Sequence, residues 1–108
     1  MSIINGIEDD VISDGIFDVR VRVVVSFSEQ SVFSKCVFGI LWRIRRTGTE
    51  DWSASLRQEA ISEVVKQSGI EKMLPMPVND ASAHQLTAKL INVLKDWAGQ
   101  RRLGGLKP

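Results

Sequence analysis

The fold is decided by the stretch DVRVRVVVSF at residues 18–27. Hydrophobic side chains occupy every second position from Val19 to Phe27, and Arg20 and Arg22 lie between them. Successive side chains of a β-strand point to opposite faces of a sheet. The alternation therefore predicts a half-buried strand with both arginines on its solvent-exposed face.

A second strand is predicted at residues 32–46, which are rich in aromatic and β-branched side chains. Trp42 falls on one face of this strand, and Arg43 and Arg45 fall on the other. Two neighbouring strands of this kind predict an antiparallel hairpin. The alternative is a buried helix over residues 31–45, because the run is apolar nearly all round.

Two amphipathic helices are predicted in the second half of the chain. Apolar residues recur at three- and four-residue spacing over residues 52–65 and again over residues 86–97. Glycine favours the left-handed conformation in which many helices end, so Gly69 is predicted to end the first helix and Gly99 the second. The prolines within residues 75–77 keep the two helices separate.

The helix starts are predicted from capping patterns. Thr47 and Ser55 each begin a sequence that fits a capping box for the first helix, and both alternatives stay open. The second helix is predicted to begin at Ser82, which opens another such box, or at an Asp80 cap.

These elements predict an α+β fold: a two-layer ββαα domain whose N-terminal antiparallel hairpin is covered by two amphipathic helices. A sheet of two strands is poorly stable alone. Either residues 2–7 add a third strand or a second copy of the chain completes the sheet, and a homodimer is the favoured expectation. Residues 1–108 are interpreted as a single domain, with an acidic N-terminal segment at 1–15 and a flexible basic tail at 99–108.

The composition favours a non-enzymatic protein of a reducing compartment. Cys36 is the only cysteine, so an intramolecular disulfide is excluded and a cytoplasmic location is expected. His84 is the only histidine, tyrosine is absent, and no glycine-rich phosphate loop occurs. The acidic cluster at residues 8–10 matches no calcium-binding loop and is interpreted as a solvated turn. We therefore expect no catalytic residues, metal or cofactor, and no membrane association.

The basic residues carry the functional hypothesis. The net charge is only +1, but acidic residues dominate the N-terminal stretch and arginines dominate the hairpin. If the hairpin forms, four guanidinium groups emerge on the sheet face opposite the helices, where they suit phosphate or carboxylate groups. The alternative is a solvated face whose charges are spread apart or neutralised by the acidic stretch. The candidate partner-binding residues are Arg20, Arg22, Arg43, Arg45 and Arg46, with further tail contacts from Arg101, Arg102 and Lys107.

The expected function is docking onto a macromolecular partner, as an adaptor, accessory or inhibitor protein. A protein partner is favoured over nucleic acid because Phe38 and Trp42 fall on the inward face, which leaves no outward aromatic rings to stack on bases. The pI of about 7.9 is also below that of a typical nucleic-acid-binding domain. Nucleic-acid binding through the arginine face and the basic tail is the alternative.

Overall fold

The computed structural model describes residues 2–30 and 33–108, and it confirms the two-layer α+β architecture. Three antiparallel strands form one sheet in the order β1-β2-β3, and two helices follow. The third strand comes from the chain itself. The elements are β1 Ser2–Ser13, β2 Phe17–Gln30, β3 Phe33–Arg46, α1 Gln58–Ser68 and α2 Asp80–Gly99, with short 3₁₀ helices at Ile70–Met73 and Leu103–Leu106.

The helical alternative for residues 31–45 is wrong over its described part, because β3 pairs with β2 along its whole length. Ser31 and Val32, which that alternative included, lie outside the described residues. The predicted valine alternation is confirmed: Val19, Val21 and Val25 of β2 are fully buried, as is Val23 between them. Their common partner is α2, which lies over β1 and β2. The core is completed from α2 by Leu86, Leu90, Leu94 and Trp97.

The acidic N-terminal segment predicted at residues 1–15 is for the most part a strand, because β1 spans Ser2–Ser13. The turn into β2 is fixed by Asp14, whose Oδ1 accepts hydrogen bonds from the backbone N–H of Ile16 at 2.9 Å and of Phe17 at 2.8 Å. Gly15 takes a positive φ of 86° in this turn, which glycine adopts without strain. The acidic residues therefore lie on a strand and alternate between the two faces of the sheet.

The start of α2 is held against β1 by a close backbone approach at Gly6. A Cβ atom on Gly6 would lie 2.5 Å from the carbonyl oxygen of Asn79. Asn79 is also the N-cap of α2, since its side chain accepts from the backbone N–H of Ser82 at 2.9 Å. The cap at Asn79 therefore lies one residue before the predicted cap at Asp80 and three residues before the predicted start at Ser82. A register shift between Ile4 and Gly6 marks a bulge at this contact.

The first helix begins later than its apolar spacing implies. Residues 52–57 are not helical, and Ser53 forms an isolated antiparallel bridge with Ile44 of β3. Arg57 is the N-cap of α1 and makes no side-chain capping bond, so neither predicted capping box is used. The predicted end of α1 is confirmed, because Gly69 is left-handed with φ 71°.

The interpretation of residues 99–108 as a flexible tail is wrong. Leu103 and Leu106 are fully buried in the core through the 3₁₀ helix between them. The backbone N–H of Arg57 donates to the carbonyl oxygen of Leu106 at 2.7 Å, and Arg57 Nε donates to that of Gly105 at 3.1 Å. Two leucines three residues apart supply an apolar contact that the glycines and basic residues around them obscure in the sequence.

Candidate interaction surface on the sheet

The candidate site is the side of the sheet that no helix covers, which we call the bare face. Strand register defines it: side chains that lie opposite each other across a ladder share a face. Asp9, Arg22 and Leu41 form one row across the three strands, and Val11, Arg20 and Arg43 form the next. The other members of the face are Ile4, Ile7, Ser13, Asp18, Val24, Ser26, Val37, Gly39 and Arg45.

The bare face exposes large aliphatic side chains. The exposed fractions are 60% for Ile4, 52% for Ile7, 45% for Val11 and 49% for Leu41. Three of these residues lie on β1 and one lies on β3, so the register distributes them across the face rather than at one end. The sequence analysis did not identify this feature, because it considered only the arginines of the outward face and interpreted residues 1–15 by their acidic character.

Asp9 neutralises part of the arginine cluster. Its Oδ2 accepts from Arg20 Nη2 at 2.8 Å, from Arg22 Nη2 at 2.8 Å and from Arg22 Nε at 3.1 Å. The hydrogen bonds from Arg20 and then from Arg22 hold the pKa of Asp9 below its ordinary value of 3.8. The acidic stretch thus folds back onto the basic block, as one of the sequence alternatives proposed, but it brings one carboxylate to two guanidinium groups.

Arg43 has no ion pair within the described residues. Its Nη1 donates to the carbonyl oxygen of its neighbour Trp42 at 3.2 Å. Arg43 lines a shallow depression of about 110 Å³ together with Arg20, Arg22 and Leu41. Three arginines thus line a small open space beside an exposed leucine, and the carboxylate of Asp9 is bonded to two of them.

Arg45 is held in a structural contact at one end of the bare face. Its Nε donates to Asp18 Oδ2 at 2.8 Å, and its guanidinium lies 4.3 Å from the ring centroid of Trp52. Thr47 Oγ1 also donates to Asp18 at 2.8 Å. Burial raises the pKa of Asp18, but hydrogen bonds from Ser13, Arg45 and Thr47 lower it further than burial raises it. Arg45 therefore supports the fold of this corner.

Trp52 does not lie on a helix stripe as the sequence indicated. Because Ser53 pairs with Ile44, whose side chain faces the helices, the neighbouring Trp52 points to the bare side, where Arg45 covers its ring. Trp97 is confirmed as a core residue, and its Nε1 donates to Gln67 Oε1 at 3.3 Å.

The remaining candidate residues lie away from the bare face. Arg46 is opposite Phe17, which shares the helix side with the valine row of β2. Lys107 Nζ lies 4.9 Å from the ring centroid of Phe17 on that same side. Arg102 stacks on Trp97 at 4.2 Å and lies 3.7 Å from Glu63, and Arg101 takes a positive φ of 54° just after α2. The structure thus brings together Arg20, Arg22 and Arg43, with Arg45 beside them.

Other chemistry-bearing groups do not form a site of their own. His84 Nδ1 lies 3.3 Å from Glu8 Oε1 on the helix side of the sheet, and His84 is exposed. Within residues 2–30 and 33–108, no group of three or more histidine, cysteine, aspartate or glutamate side chains is arranged to hold a metal ion. In the same part of the chain, no helix has the length and apolar character needed to cross a membrane.

Comparison of the chain with protein-family models finds no match, and comparisons with curated proteins and with solved structures find none either. The role of the bare face is therefore inferred from its geometry and charge.

Proposed function

We propose that this chain is a small non-enzymatic interaction protein that docks onto a protein partner through the bare face. One observation carries the proposal: exposed aliphatic side chains alternate with three clustered guanidinium groups on a regular sheet. Several large aliphatic side chains exposed on one face of a sheet mark a candidate interaction site. Arginine is also enriched at protein interfaces, where its planar fork binds carboxylates.

The partner surface should combine aliphatic groups with carboxylates. Apolar groups of a partner would bury the exposed side chains of Ile7, Val11 and Leu41. Burial of Arg43 requires a hydrogen-bond acceptor to replace the water that its guanidinium loses. An aspartate or glutamate side chain fits the depression beside Arg43, because the space is small and donors surround it. Adaptor, accessory and inhibitor proteins act through surfaces of this composition.

The residue inventory supports a role without catalysis or a cofactor. The chain holds one histidine and one cysteine, which gives few options for acid–base or nucleophilic chemistry. A cytoplasmic location is part of the same proposal, because a single cysteine in the chain leaves no internal disulfide to form.

Nucleic-acid binding is the second candidate, and the depression lined by three arginines is the observation that favours it. Two observations weigh against it. Asp9 offsets the charge of Arg20 and Arg22, and the exposed isoleucines have nothing to contact on a phosphate backbone. The basic residues of the tail do not extend the bare face, because they lie on the helix side.

The proposal is tested by charge reversal at Arg43 in a pull-down from native lysate, with and without nuclease. Arg43→Glu removes no ion pair seen in the structure, so we expect the fold to be kept, as circular dichroism would show. We expect the wild-type chain to capture a protein after nuclease treatment and the variant to lose it. Lys89→Glu reverses an exposed charge on α2 and serves as the matched control.

Each outcome separates the candidates. Loss of capture in Arg43→Glu but not in Lys89→Glu supports docking through the bare face. Capture that disappears on nuclease treatment, together with an affinity that falls steeply with salt, would favour the nucleic-acid alternative. Equal capture by the wild type and both variants would exclude the bare face as the docking surface.

A further inference from the structure

The outer edge of β3 presents unpaired backbone groups. Ile44 and Ser53 exchange both backbone hydrogen bonds, at 2.9 Å and 2.8 Å, so the N–H and C=O of Ile44 point away from β2. In an antiparallel strand alternate residues direct these groups to the same side. The register between β2 and β3 is unbroken, so Trp42, Ile40 and Phe38 also direct their backbone groups outward. We call the stretch at residues 37–42 the β3 edge.

The two outer strands of the sheet differ in how their edges are protected. On β1, three consecutive acidic residues and the bulge before Gly6 discourage pairing with another strand, and α2 packs across this strand. Between Lys35 and Arg43, the β3 edge has no charged residue, proline or bulge. The outward carbonyl oxygen of Trp42 accepts at 3.2 Å from the guanidinium of its own neighbour Arg43.

The side chains of the β3 edge are also incompletely covered. Phe38 and Ile40 face the helix side but are only partly buried, because α2 lies over β1 and β2. On the other side, Leu41 is among the exposed members of the bare face. An additional strand at this position would cover apolar groups on both faces and would satisfy the outward N–H and C=O groups.

We propose that the occupant of the β3 edge is the same edge of a second copy, joined antiparallel about a two-fold axis perpendicular to the sheet. With Ile40 opposite Ile40 of the second copy, Phe38 lies opposite Trp42 and Val37 lies opposite Arg43. Within residues 37–43, apolar residues meet on the helix side and no two like charges are opposed. Lys35 would come opposite Arg45 only if the pairing ran past Ile44. Ser53 limits the length of the paired region, because it already occupies the edge at Ile44.

The dimer would also determine how the bare face meets a partner, and this part of the inference rests on the proposed function. Side chains opposite each other across a ladder share a face, so the bare faces of both copies would lie on one side of a single six-stranded sheet. The two depressions would then face the same direction. They would suit a partner that is itself two-fold symmetric, or one that carries two copies of a surface combining carboxylates with aliphatic groups.

The decisive variant is Ile40→Pro, compared with Ile40→Ala. Proline removes an N–H that points to the free edge and makes no bond to β2, a position where proline is tolerated in sheets. Alanine removes the same side chain and keeps the N–H. By light scattering and sedimentation equilibrium, we expect a wild-type dimer whose dissociation constant rises about tenfold or more in the proline variant relative to the alanine variant. Circular dichroism confirms that both variants fold.

Oxidative cross-linking tests the register. In a Cys36→Ser background, Ile40→Cys is expected to form a disulfide-linked dimer, because opposed residues of a ladder have Cα atoms within disulfide reach. Ile7→Cys, on β1, is the control and should form no disulfide-linked dimer under the same oxidation. A monomeric wild-type chain at high concentration, or cross-linking through Ile7 instead of Ile40, would overturn this interface. Neither result would affect the dependence of partner capture on Arg43, which tests the proposed function separately.

Discussion

At the scale of single residues, Asp18 shows how the fold accommodates a charge. The side chain lies at the start of β2 and the residue is only 5% exposed, yet both of its oxygens have hydrogen-bond donors, Arg45 for one and Thr47 for the other. Pairing and hydrogen bonding of this kind offset the cost of burying the carboxylate, whereas an unpaired buried charge would destabilise the folded state. The guanidinium of Arg45 also lies over the ring of Trp52.

Replacing Asp18 with asparagine should destabilise the protein by about 2 kcal/mol at neutral pH, because charge-assisted hydrogen bonds are lost and Arg45 is left without its carboxylate. Urea denaturation measures the change in the free energy of unfolding. Asp51→Asn, at an exposed position, is the control and should change it by less than about 0.5 kcal/mol. A loss at Asp18 no larger than that of the control would show that the network contributes little.

The effect of Asp18 should depend on pH in a defined direction. Hydrogen bonding holds its pKa below 3.8 in the folded chain, while in the unfolded chain it titrates near 3.8. Its stabilising contribution is therefore fully present above that unfolded pKa and is lost as the pH falls through the lower pKa of the folded state. The difference in stability between wild type and Asp18→Asn should shrink at acidic pH.

At the scale of elements, α2 packs on β1 only because the side chain at the contact is absent. Gly6→Ala would place a methyl group against the backbone carbonyl of Asn79, which cannot rotate away. We expect a loss of about 1–3 kcal/mol in the free energy of unfolding, as for other overpacked sites. Gly99→Ala, where nothing lies within 4 Å of the added carbon, is the control and should be neutral or slightly stabilising. Equal stability of the two variants would show that α2 shifts without cost.

The terminal 3₁₀ helix should contribute to stability as a core element. Leu106→Ala removes a fully buried side chain and should cost about 2–5 kcal/mol. Lys107→Ala, at the exposed neighbouring position, should cost less than about 1 kcal/mol even though its ammonium lies over Phe17. Thermal or urea unfolding compares the two, and a small effect at Leu106 would restore the interpretation of this segment as a loose tail.

At the scale of the whole molecule, the sequence predicted the two-layer architecture and part of the arginine surface on the sheet. The alternation in β2 is local and unambiguous, so the buried valines and the outward side of Arg20 and Arg22 could be inferred directly. Pairing with β3 then brought Arg43 beside them. The ββαα order followed from hydrophobic spacing, and Gly69 marked a helix end because its conformation is determined by local sterics.

The sequence offered residues 2–7 as a possible third strand but did not reveal the full length of β1, because the pattern of this strand is reversed. The hydrophobic residues Ile7 and Val11 point to the bare face, while Glu8 and Asp10 point toward the helix side at the edge of the sheet. The bulge before Gly6 further breaks the two-residue period.

Arg46 and the basic residues of the tail were expected to add to the arginine surface, which requires their side chains to reach the bare face. The face that a side chain reaches follows from strand register and from tertiary stacking on Phe17 and Trp97 rather than from charge, so composition could not predict it.

The order of elements along the chain has a consequence for biosynthesis. All three strands precede both helices, and each ladder joins segments that are neighbours in the sequence, so the meander can form as soon as β3 has left the ribosome. The helix that covers β2 is synthesised last among the major elements. Throughout that interval the nascent chain displays the uncovered valine row of β2, a surface that chaperones bind and that favours premature association between neighbouring chains.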